Sequence, residues 1–82
     1  GGQSSTVMDS GIVIRKALEK KALGLILCHN HPSGSPIPGT ADAKQTESLK
    51  KGAETFGISL LDHVIIGDNC YYSFADEEIS WV

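Results

Sequence analysis

Hydrophobic positions recur with the spacing of a helix in two stretches of the chain. The first stretch begins at Ser10, a suitable N-cap residue, and ends before Gly24, a residue typical of helix C-termini. The second begins at Thr40, also suitable as an N-cap, and ends at Gly57. Their apolar faces are Ile12, Val13, Leu18, Ala22 and Leu23 in the first, and Ala43, Thr46, Leu49, Ala53 and Phe56 in the second. The pattern therefore predicts two amphipathic helices.

Short apolar runs without helical spacing lie between and after these helices. The run 25–28 is typical of a strand buried on both faces, and runs 58–61 and 64–66 are further strand material. A turn over 67–69 leads into a return strand, 70–74. Before the second helix, residues 30–39 contain three prolines and two glycines and predict a loop. The order helix, strand, helix, strand, strand predicts an α/β fold of two or three layers around a small mixed sheet.

The two ends of the chain have no such periodicity. Residues 1–9 are polar and predict a lead-in loop or the end of a strand. The acidic segment 76–78 precedes Ile79 and Trp81 and predicts a final turn followed by a docking anchor. The chain begins with Gly1 rather than Met, which indicates a fragment of a longer protein.

Composition narrows the class of protein. The 82 residues suit one small domain, and a net charge of −3 argues against a dedicated nucleic-acid binder. No apolar run reaches the roughly 20 residues of a membrane span, and no signal peptide is evident. Cys28 and Cys70 are too few for a disulfide framework, and their apolar surroundings predict two buried, reduced thiols. These features favour a cytoplasmic protein.

Two histidines and one carboxylate are the residues with the strongest chemical signal. His29 and His31 stand two apart at the end of the predicted strand, so their side chains point to the same face. Asp42 opens the second helix, and the rigid proline loop can return it to the same point. Two His and one carboxylate form a catalytic zinc set, which leaves a position for water. Zinc lowers the pKa of that water to about 7.

Simpler interpretations exist for each of these residues. Paired histidines at a strand end can bind loop backbone, and an acid at a helix start can complement the helix dipole. Ser33, His31 and Asp42 could be drawn as a nucleophilic triad, but nothing resembles a nucleophile elbow. Cys28 points to the opposite face from its histidine neighbour, which argues against a Cys-His pair. His63, the third histidine, has no metal-type partner beside it and is interpreted as structural.

The motifs resemble those of one known family. His-Asn-His-Pro-Ser-Gly at 29–34, Asp42, and Leu-Leu-Asp-His-Val-Ile-Ile-Gly at 60–67 are similar to the RadC family, a bacterial branch of the JAMM (JAB/MPN) metalloproteins. The resemblance covers nearly the whole chain and implies one RadC-like domain over 1–82. It implies the deaminase-like MPN fold, with a small mixed sheet flanked by two helices. It also implies that His29, His31 and Asp42 bind Zn²⁺.

Two departures from the JAMM pattern affect catalysis. JAMM enzymes usually carry a Ser three residues before the Asp, and here that position is Gly39, followed by Thr40. They also use a Glu on an earlier strand as general base, and no Glu precedes Glu19 in this chain. The base and its strand are therefore expected upstream of Gly1. This predicts that the isolated chain is an inactive hydrolase.

Residues beside the expected metal site are predicted to shape the cleft or to contact its contents. The loop 32–38 is predicted to form the rim of the cleft. Ser33 and Thr40 are predicted to lie within reach of bound water or substrate. Glu47 and Glu54, further along the second helix, are poor candidates for the missing base.

Three functions are consistent with these observations. The first is a zinc-dependent hydrolase of the JAMM type that acts on a peptide or isopeptide bond. The second is a metal-binding interaction module without catalysis. The third is an accessory protein of DNA repair that binds DNA through other parts, because this chain shows no direct DNA-binding feature. Loss of the upstream strand would also uncover a sheet edge, which predicts a homodimer formed through that edge.

Overall fold

A computed structural model of the chain describes residues 9–82, so the lead-in predicted for residues 1–9 lies, except for Asp9, outside the described residues. Two helices and four strands follow one another along this part of the chain. They are α1 (Ser10–Glu19), β1 (Gly24–Asn30), α2 (Thr40–Thr55), β2 (Ser59–Gly67), β3 (Cys70–Ser73) and β4 (Glu78–Trp81). The predicted α/β class is confirmed. Neither helix is both long enough and apolar enough to span a bilayer.

The four strands form one mixed sheet in the order β1-β2-β3-β4. Strands β1 and β2 are parallel and joined by α2, whereas β2, β3 and β4 pair antiparallel. Strand β2 runs through Asp62 and His63 and so joins the two runs of predicted strand material, 58–61 and 64–66. Its register with β1 shifts between Leu25 and Ile26, so that Leu61 has no partner in β1. Leu61 is thus the extra residue of a bulge in β2.

Both helices contribute to a core on one face of the sheet. The buried cluster consists of Ile14, Ala17, Leu49, Ala53 and Ile58, and Leu25, Leu27 and Leu60 pack against it. The other side of β1 is open within residues 9–82, since Ile26 is 62% exposed. The prediction that β1 is buried on both faces was therefore wrong. A continuous apolar run is compatible with burial of both faces of a strand. It does not by itself provide the second layer that would pack on the strand.

The two cysteines differ in their surroundings. Both are free thiols, and Cys70 is buried as predicted. Cys28 is exposed, which corrects the prediction that both are buried. Strand alternation explains the difference, because Cys28 shares the open face of β1 with Ile26.

The helices begin and end at residues that differ partly from those predicted. Asp9, not Ser10, caps α1: its Oδ1 accepts hydrogen bonds from the N–H groups of Gly11 and Ile12 at 2.9 and 3.3 Å. Helix α1 ends at Glu19, and Gly24 begins β1 instead of closing the helix. Lys21 adopts a φ of 57° and turns the chain away from the helix axis.

The ends of α2 follow the sequence more closely. Gly39 is the N-cap residue, and Thr40, predicted as the cap, is the first helical residue. Gly57 takes a φ of 74° and closes the helix, as predicted. Glycine suits this position because an L side chain is strained there.

The C-terminal segment forms a strand. Asp76 and Glu77 lie in a turn, as predicted, whereas Glu78 and the predicted anchor residues Ile79 and Trp81 belong to β4, which pairs with β3 along its length. Trp81 is 74% exposed, so it does not dock into the described part of the domain. The sequence did not predict β4 because a short strand with an acidic start has little alternating pattern of its own. The strand forms through its pairing with β3.

Asp62 joins β2 to β3 and to the turn that follows β3. Its Oδ2 accepts a hydrogen bond from the Ser73 hydroxyl at 2.7 Å. Its Oδ1 accepts from the backbone N–H groups of His63 at 2.7 Å and Ala75 at 3.0 Å. One carboxylate therefore fixes the turn that connects β3 to β4.

The proline loop, residues 31–39 between β1 and α2, lies against the turn between β2 and β3. The His31 N–H donates to the Ile66 carbonyl at 3.1 Å, and the Asp68 N–H donates to the Gly34 carbonyl at 2.8 Å. A Cβ added at Gly67 would lie 2.5 Å from the Gly34 oxygen and 2.9 Å from the nitrogen of Pro36. Only glycine permits this close approach, so the turn determines where the loop runs between β1 and α2.

Replacing Asp62 by Asn tests its hydrogen-bond network. Burial raises the pKa of Asp62, but the hydrogen bonds from Ser73, Ala75 and His63 outweigh burial and hold the pKa below the ordinary 3.8. A carboxyl group whose pKa falls on folding stabilises the fold above its unfolded-state pKa, and this contribution is lost as pH falls through the folded-state pKa. We expect Asp62→Asn to lower the free energy of unfolding at neutral pH by about 1–2 kcal/mol in urea denaturation.

The pH dependence gives this prediction its control. The stability difference between wild type and Asp62→Asn should shrink as pH falls from about 5 toward and below the folded-state pKa. Asp76→Asn changes an exposed acid beside the same turn, and it should leave stability nearly unchanged. A difference for Asp62→Asn that stays constant across this pH range would contradict the role of the charge.

Replacing Gly67 by Ala tests the seating of the loop. The added Cβ must displace backbone atoms of Gly34 and Pro36, at a cost of about 1–3 kcal/mol. Gly57→Ala is the matched control, because it strains a positive φ but meets no atom within 4 Å. Amide NMR shifts across residues 31–39 should change in Gly67→Ala and stay at wild-type values in Gly57→Ala. Equal shifts in both variants would show that the loop is not held by this contact.

Candidate metal centre

The carboxyl end of β1 and the first turn of α2 place three candidate ligands side by side. His29 lies within β1, His31 follows its last residue, and Asp42 is the third residue of α2. Alternate residues of a strand share a face, so both imidazoles point the same way. The seated loop returns the chain to that face. The structure thus brings His29, His31 and Asp42 together as a group that could hold a metal ion.

The distances between the ligand atoms suit a single small cation. His29 Nε2 lies 3.1 Å from Asp42 Oδ1, and His31 Nε2 lies 3.2 Å from Asp42 Oδ2. One ligand atom from each residue lies within 4.8 Å of the other two. Ligands at zinc bond lengths of about 2.0 Å in tetrahedral geometry are about 3.3 Å apart. The two nitrogen–oxygen contacts are close to this separation, and two imidazoles with one carboxylate are donors that suit zinc.

The Nδ1 atom of each candidate histidine makes a hydrogen-bond contact, while its Nε2 atom faces Asp42. His31 Nδ1 lies 3.0 Å from the Ser35 carbonyl oxygen. A carbonyl can only accept, so Nδ1 of His31 carries a proton and Nε2 is the nitrogen available to a metal. His29 Nδ1 lies 2.8 Å from Nε2 of His63. Such outward hydrogen bonds are usual for metal-binding histidines, because they fix the orientation of the ring.

Asp42 belongs both to the helix terminus and to the site. Its Oδ2 accepts a hydrogen bond from the Gly39 N–H at 2.7 Å, which satisfies one free donor at the start of α2. Burial raises the pKa of Asp42, but this hydrogen bond and the nearby imidazoles outweigh burial and lower the pKa below 3.8. The carboxylate is therefore ionised at neutral pH and available as a ligand. The capping role and the ligand role are compatible, because they use the same oriented carboxylate.

His63 is the residue whose position the sequence did not reveal. It is 0% exposed, stacks on the ring of Phe74 at 4.9 Å, and contacts the candidate ligand His29. Its Nδ1 lies 2.6 Å from the hydroxyl oxygen of Thr46. Burial and the neighbouring His29 lower the pKa of His63, which keeps the ring neutral. The burial of His63 suits its interpretation as structural, but the ring also contacts the candidate ligand His29.

A signal for this contact does exist in the sequence. Thr46 lies one helical turn after Asp42 and so shares its face of α2. In the parallel pairing, His63 lies opposite Leu27, two residues before His29 and on the same face of the sheet. Finding the contact required the register of β1 against β2, which the sequence does not give.

The two predicted auxiliary residues lie on the surface near the ligands in sequence. Ser33 is exposed, and its Oγ accepts a hydrogen bond from the Ser35 N–H at 3.3 Å. Thr40 is exposed at the first position of α2. No hydrogen bond within residues 9–82 joins either side chain to the three ligands. Their proposed contact with water or substrate stays a prediction.

The candidate general bases are also on the surface. Glu19, Glu47 and Glu54 are all exposed. Glu47 pairs with Lys51 at 3.8 Å, one turn along α2. No ion pair or hydrogen bond in the described part of the chain connects a Glu side chain to the three ligands. That these three residues are poor bases stays a prediction.

Comparison with known proteins places the chain in a family. It is 47% identical over 79 residues to a UPF0758 protein of Flavobacterium johnsoniae, covering 96% of this chain and 34% of that protein. It is 49% identical over 70 residues to a UPF0758 protein of Shewanella pealeana, covering 85% and 30%. A UPF0758 protein of Clostridium perfringens is 42% identical over 79 residues, covering 96% and 35%. The chain thus spans about a third of the length of these relatives.

The family comparison covers nearly the whole chain. The model of the RadC-like JAB domain matches residues 1–79. The matched range includes both histidines and the aspartate of the candidate centre, together with all but the end of β4. The resemblance found in the motifs is confirmed, and the chain belongs to the RadC-like JAB domain family.

Proposed function

We propose that this domain binds one zinc ion through His29, His31 and Asp42 and serves as the metal-binding part of a hydrolase that cleaves a peptide or isopeptide bond. One observation carries the proposal. Both imidazoles face the same ionised carboxylate with Nε2, at 3.1 and 3.2 Å, while each Nδ1 is held by a hydrogen bond behind the ring. The family membership supports it.

The electrostatics of this arrangement favour a cation. The backbone carbonyl of Ser35 requires the proton of His31 to lie on Nδ1, so a neutral ring presents the lone pair of Nε2 to Asp42. A lone pair that faces an ionised carboxylate is repelled, and the contact becomes favourable when a proton or a metal cation lies between the two atoms. A metal cation supplies this charge to both rings at once. Imidazole nitrogen and carboxylate oxygen are donors that suit zinc.

The chemistry follows from the small number of protein ligands. A zinc ion held by three protein ligands keeps a position open and activates water as a nucleophile at neutral pH. The chain itself contributes a carboxylate ligand, two oriented imidazoles and a stiff loop beside them. We propose that Ser33 and Thr40 contact the substrate from this loop and from the start of α2. We also propose that the general base comes from outside residues 9–82.

A non-catalytic interaction module is the second candidate. Gly39 stands where JAMM enzymes usually carry a Ser, and no Glu within the described residues contacts the centre. Such a domain would bind zinc but hydrolyse nothing. An accessory role in DNA repair gains no support from the net charge of −3. Salt-dependent DNA binding by the natural full-length protein would favour that role.

Substitution of the ligands tests the metal centre. We expect the protein to retain about one zinc ion per chain after dialysis at neutral pH, measured by elemental analysis. His29→Ala and Asp42→Ala each remove one of three ligands and should abolish stoichiometric binding. Glu47→Gln changes an exposed acid on the same helix and should bind zinc as wild type does. Absence of zinc from the reconstituted wild type would refute the ligand assignment.

Hydrolysis by the natural full-length protein separates the two candidates. We expect the zinc-loaded full-length protein to cleave a peptide or isopeptide substrate, and His31→Ala to reduce cleavage to background. The 82-residue chain should bind zinc but show no cleavage, because no described acid is placed to take the proton. Cleavage by the short chain, lost in His31→Ala, would contradict the missing base. A zinc-loaded full-length protein that cleaves neither kind of bond would favour the interaction module.

The free edge of β1 leads to a prediction about assembly. Within residues 9–82, β1 pairs with β2 alone, so its other edge presents unpaired backbone groups. We propose that two copies pair through this edge, which should give dimers in light scattering at high concentration. Ile26→Lys places a charge on the exposed face of this edge strand and should favour monomers. A wild type that stays monomeric at all concentrations would rule out this pairing.

A further inference from the structure

We propose that His63 and Thr46 are positioning residues that fix the tautomer of His29, so that its Nε2 presents a lone pair to the metal. The inference rests on the metal centre of the proposed function and adds two residues to it. It is carried by four consecutive contacts that begin at the backbone carbonyl of Asp42 and end at its side chain. The contacts connect Asp42, Thr46, His63 and His29.

The direction of the chain of hydrogen bonds is set at Thr46. Its hydroxyl oxygen lies 2.8 Å from the Asp42 backbone carbonyl and 2.6 Å from His63 Nδ1. A carbonyl only accepts, and a hydroxyl has one proton. Both contacts are hydrogen bonds in only one arrangement, in which the hydroxyl donates to the carbonyl and accepts from His63. The proton of His63 must then lie on Nδ1.

The same reasoning shows which nitrogen of the candidate ligand His29 carries the proton. His63 is 0% exposed and stacked on Phe74, so the neutral ring is favoured and its Nε2 is an acceptor. The contact of 2.8 Å between this Nε2 and His29 Nδ1 requires His29 to donate. The proton of His29 is thereby held on Nδ1. Its Nε2, which lies 3.1 Å from Asp42 Oδ1, is left with the lone pair that a metal needs.

The opposite order would block the site. If Thr46 donated to His63 Nδ1, the proton of His63 would lie on Nε2, and His29 would have to accept at Nδ1. The proton of His29 would then lie on Nε2 and point at Asp42. The two orders differ in the direction of the hydrogen bonds from Thr46 to His63 and from His63 to His29, and the opposite order also loses the hydrogen bond from Thr46 to the Asp42 carbonyl. That carbonyl therefore favours the order in which His29 can bind metal.

Substitutions at Thr46 separate the hydroxyl from the shape of the side chain. Thr46→Val keeps the branched shape but removes the hydroxyl, whereas Thr46→Ser keeps the hydroxyl. Thr55→Val is the matched control, since the Thr55 hydroxyl donates to the Lys51 carbonyl at 3.2 Å on an exposed part of the same helix. We expect Thr46→Val to weaken zinc binding by about 10- to 100-fold in a competition titration. Thr46→Ser and Thr55→Val should bind zinc as wild type does.

A direct measurement of the tautomer needs no metal. Long-range ¹H–¹⁵N NMR of the metal-free protein, at alkaline pH where imidazoles are neutral, reports which nitrogen carries the proton. We expect His29 to be protonated on Nδ1 in wild type and in Thr46→Ser, and to shift partly or wholly to Nε2 in Thr46→Val. Thr55→Val should keep the wild-type spectrum. A purely structural role of Thr46 would change stability without changing the tautomer.

The outcomes distinguish this inference from the proposed function. Wild type that fails to bind zinc would overturn the metal centre, while the tautomer measurement would still decide the role of Thr46. Tight zinc binding by Thr46→Val, or protonation of wild-type His29 on Nε2, would overturn the positioning role alone. Should Thr46→Val fail to fold, the wild-type tautomer and the rescue by Thr46→Ser decide the question.

Discussion

The hydrogen bond between His29 and His63 ties the candidate metal centre to the core of the domain. His29 belongs to β1 and His63 to β2, so their contact depends on the parallel pairing of these two strands. That pairing in turn requires the crossover through α2, and α2 carries both Asp42 and Thr46. The position of each ligand therefore depends on the same two strands and one helix. A change that slips the register of β1 on β2 would separate His29 from His63.

Asp42 shows how one side chain can combine a structural and a chemical role. Its carboxylate accepts the Gly39 N–H at the start of α2 and faces both imidazoles. A helix N-terminus favours negative charge, and a metal ligand must be ionised, so the two roles require the same protonation state. The cap also orients the carboxylate before any ion binds. An acid in the first turn of a helix is thus a reason to examine the facing strand ends.

The sequence predicts the three ligands but not the residues that hold them. His29 and His31 are found by strand alternation, and Asp42 by the loop and helix that follow, because each relation is local. The contact of His63 with His29 is not local: it depends on a strand register that includes a bulge at Leu61. The same limit explains β4, whose short acidic sequence becomes a strand only beside β3. Local patterns therefore predict the chemistry of the site, whereas its support depends on pairings between distant segments.

Burial changes sharply across the candidate centre. The side chains of His29 and His31 are 33% and 22% exposed, whereas His63 behind them is 0% exposed. A buried histidine loses orientational freedom and makes strong, directed hydrogen bonds, which lets it hold a ligand ring in place. The partly exposed rings of His29 and His31 remain accessible to an ion from solvent. The candidate centre is thus closed on the side of His63 and partly open to solvent at His29 and His31.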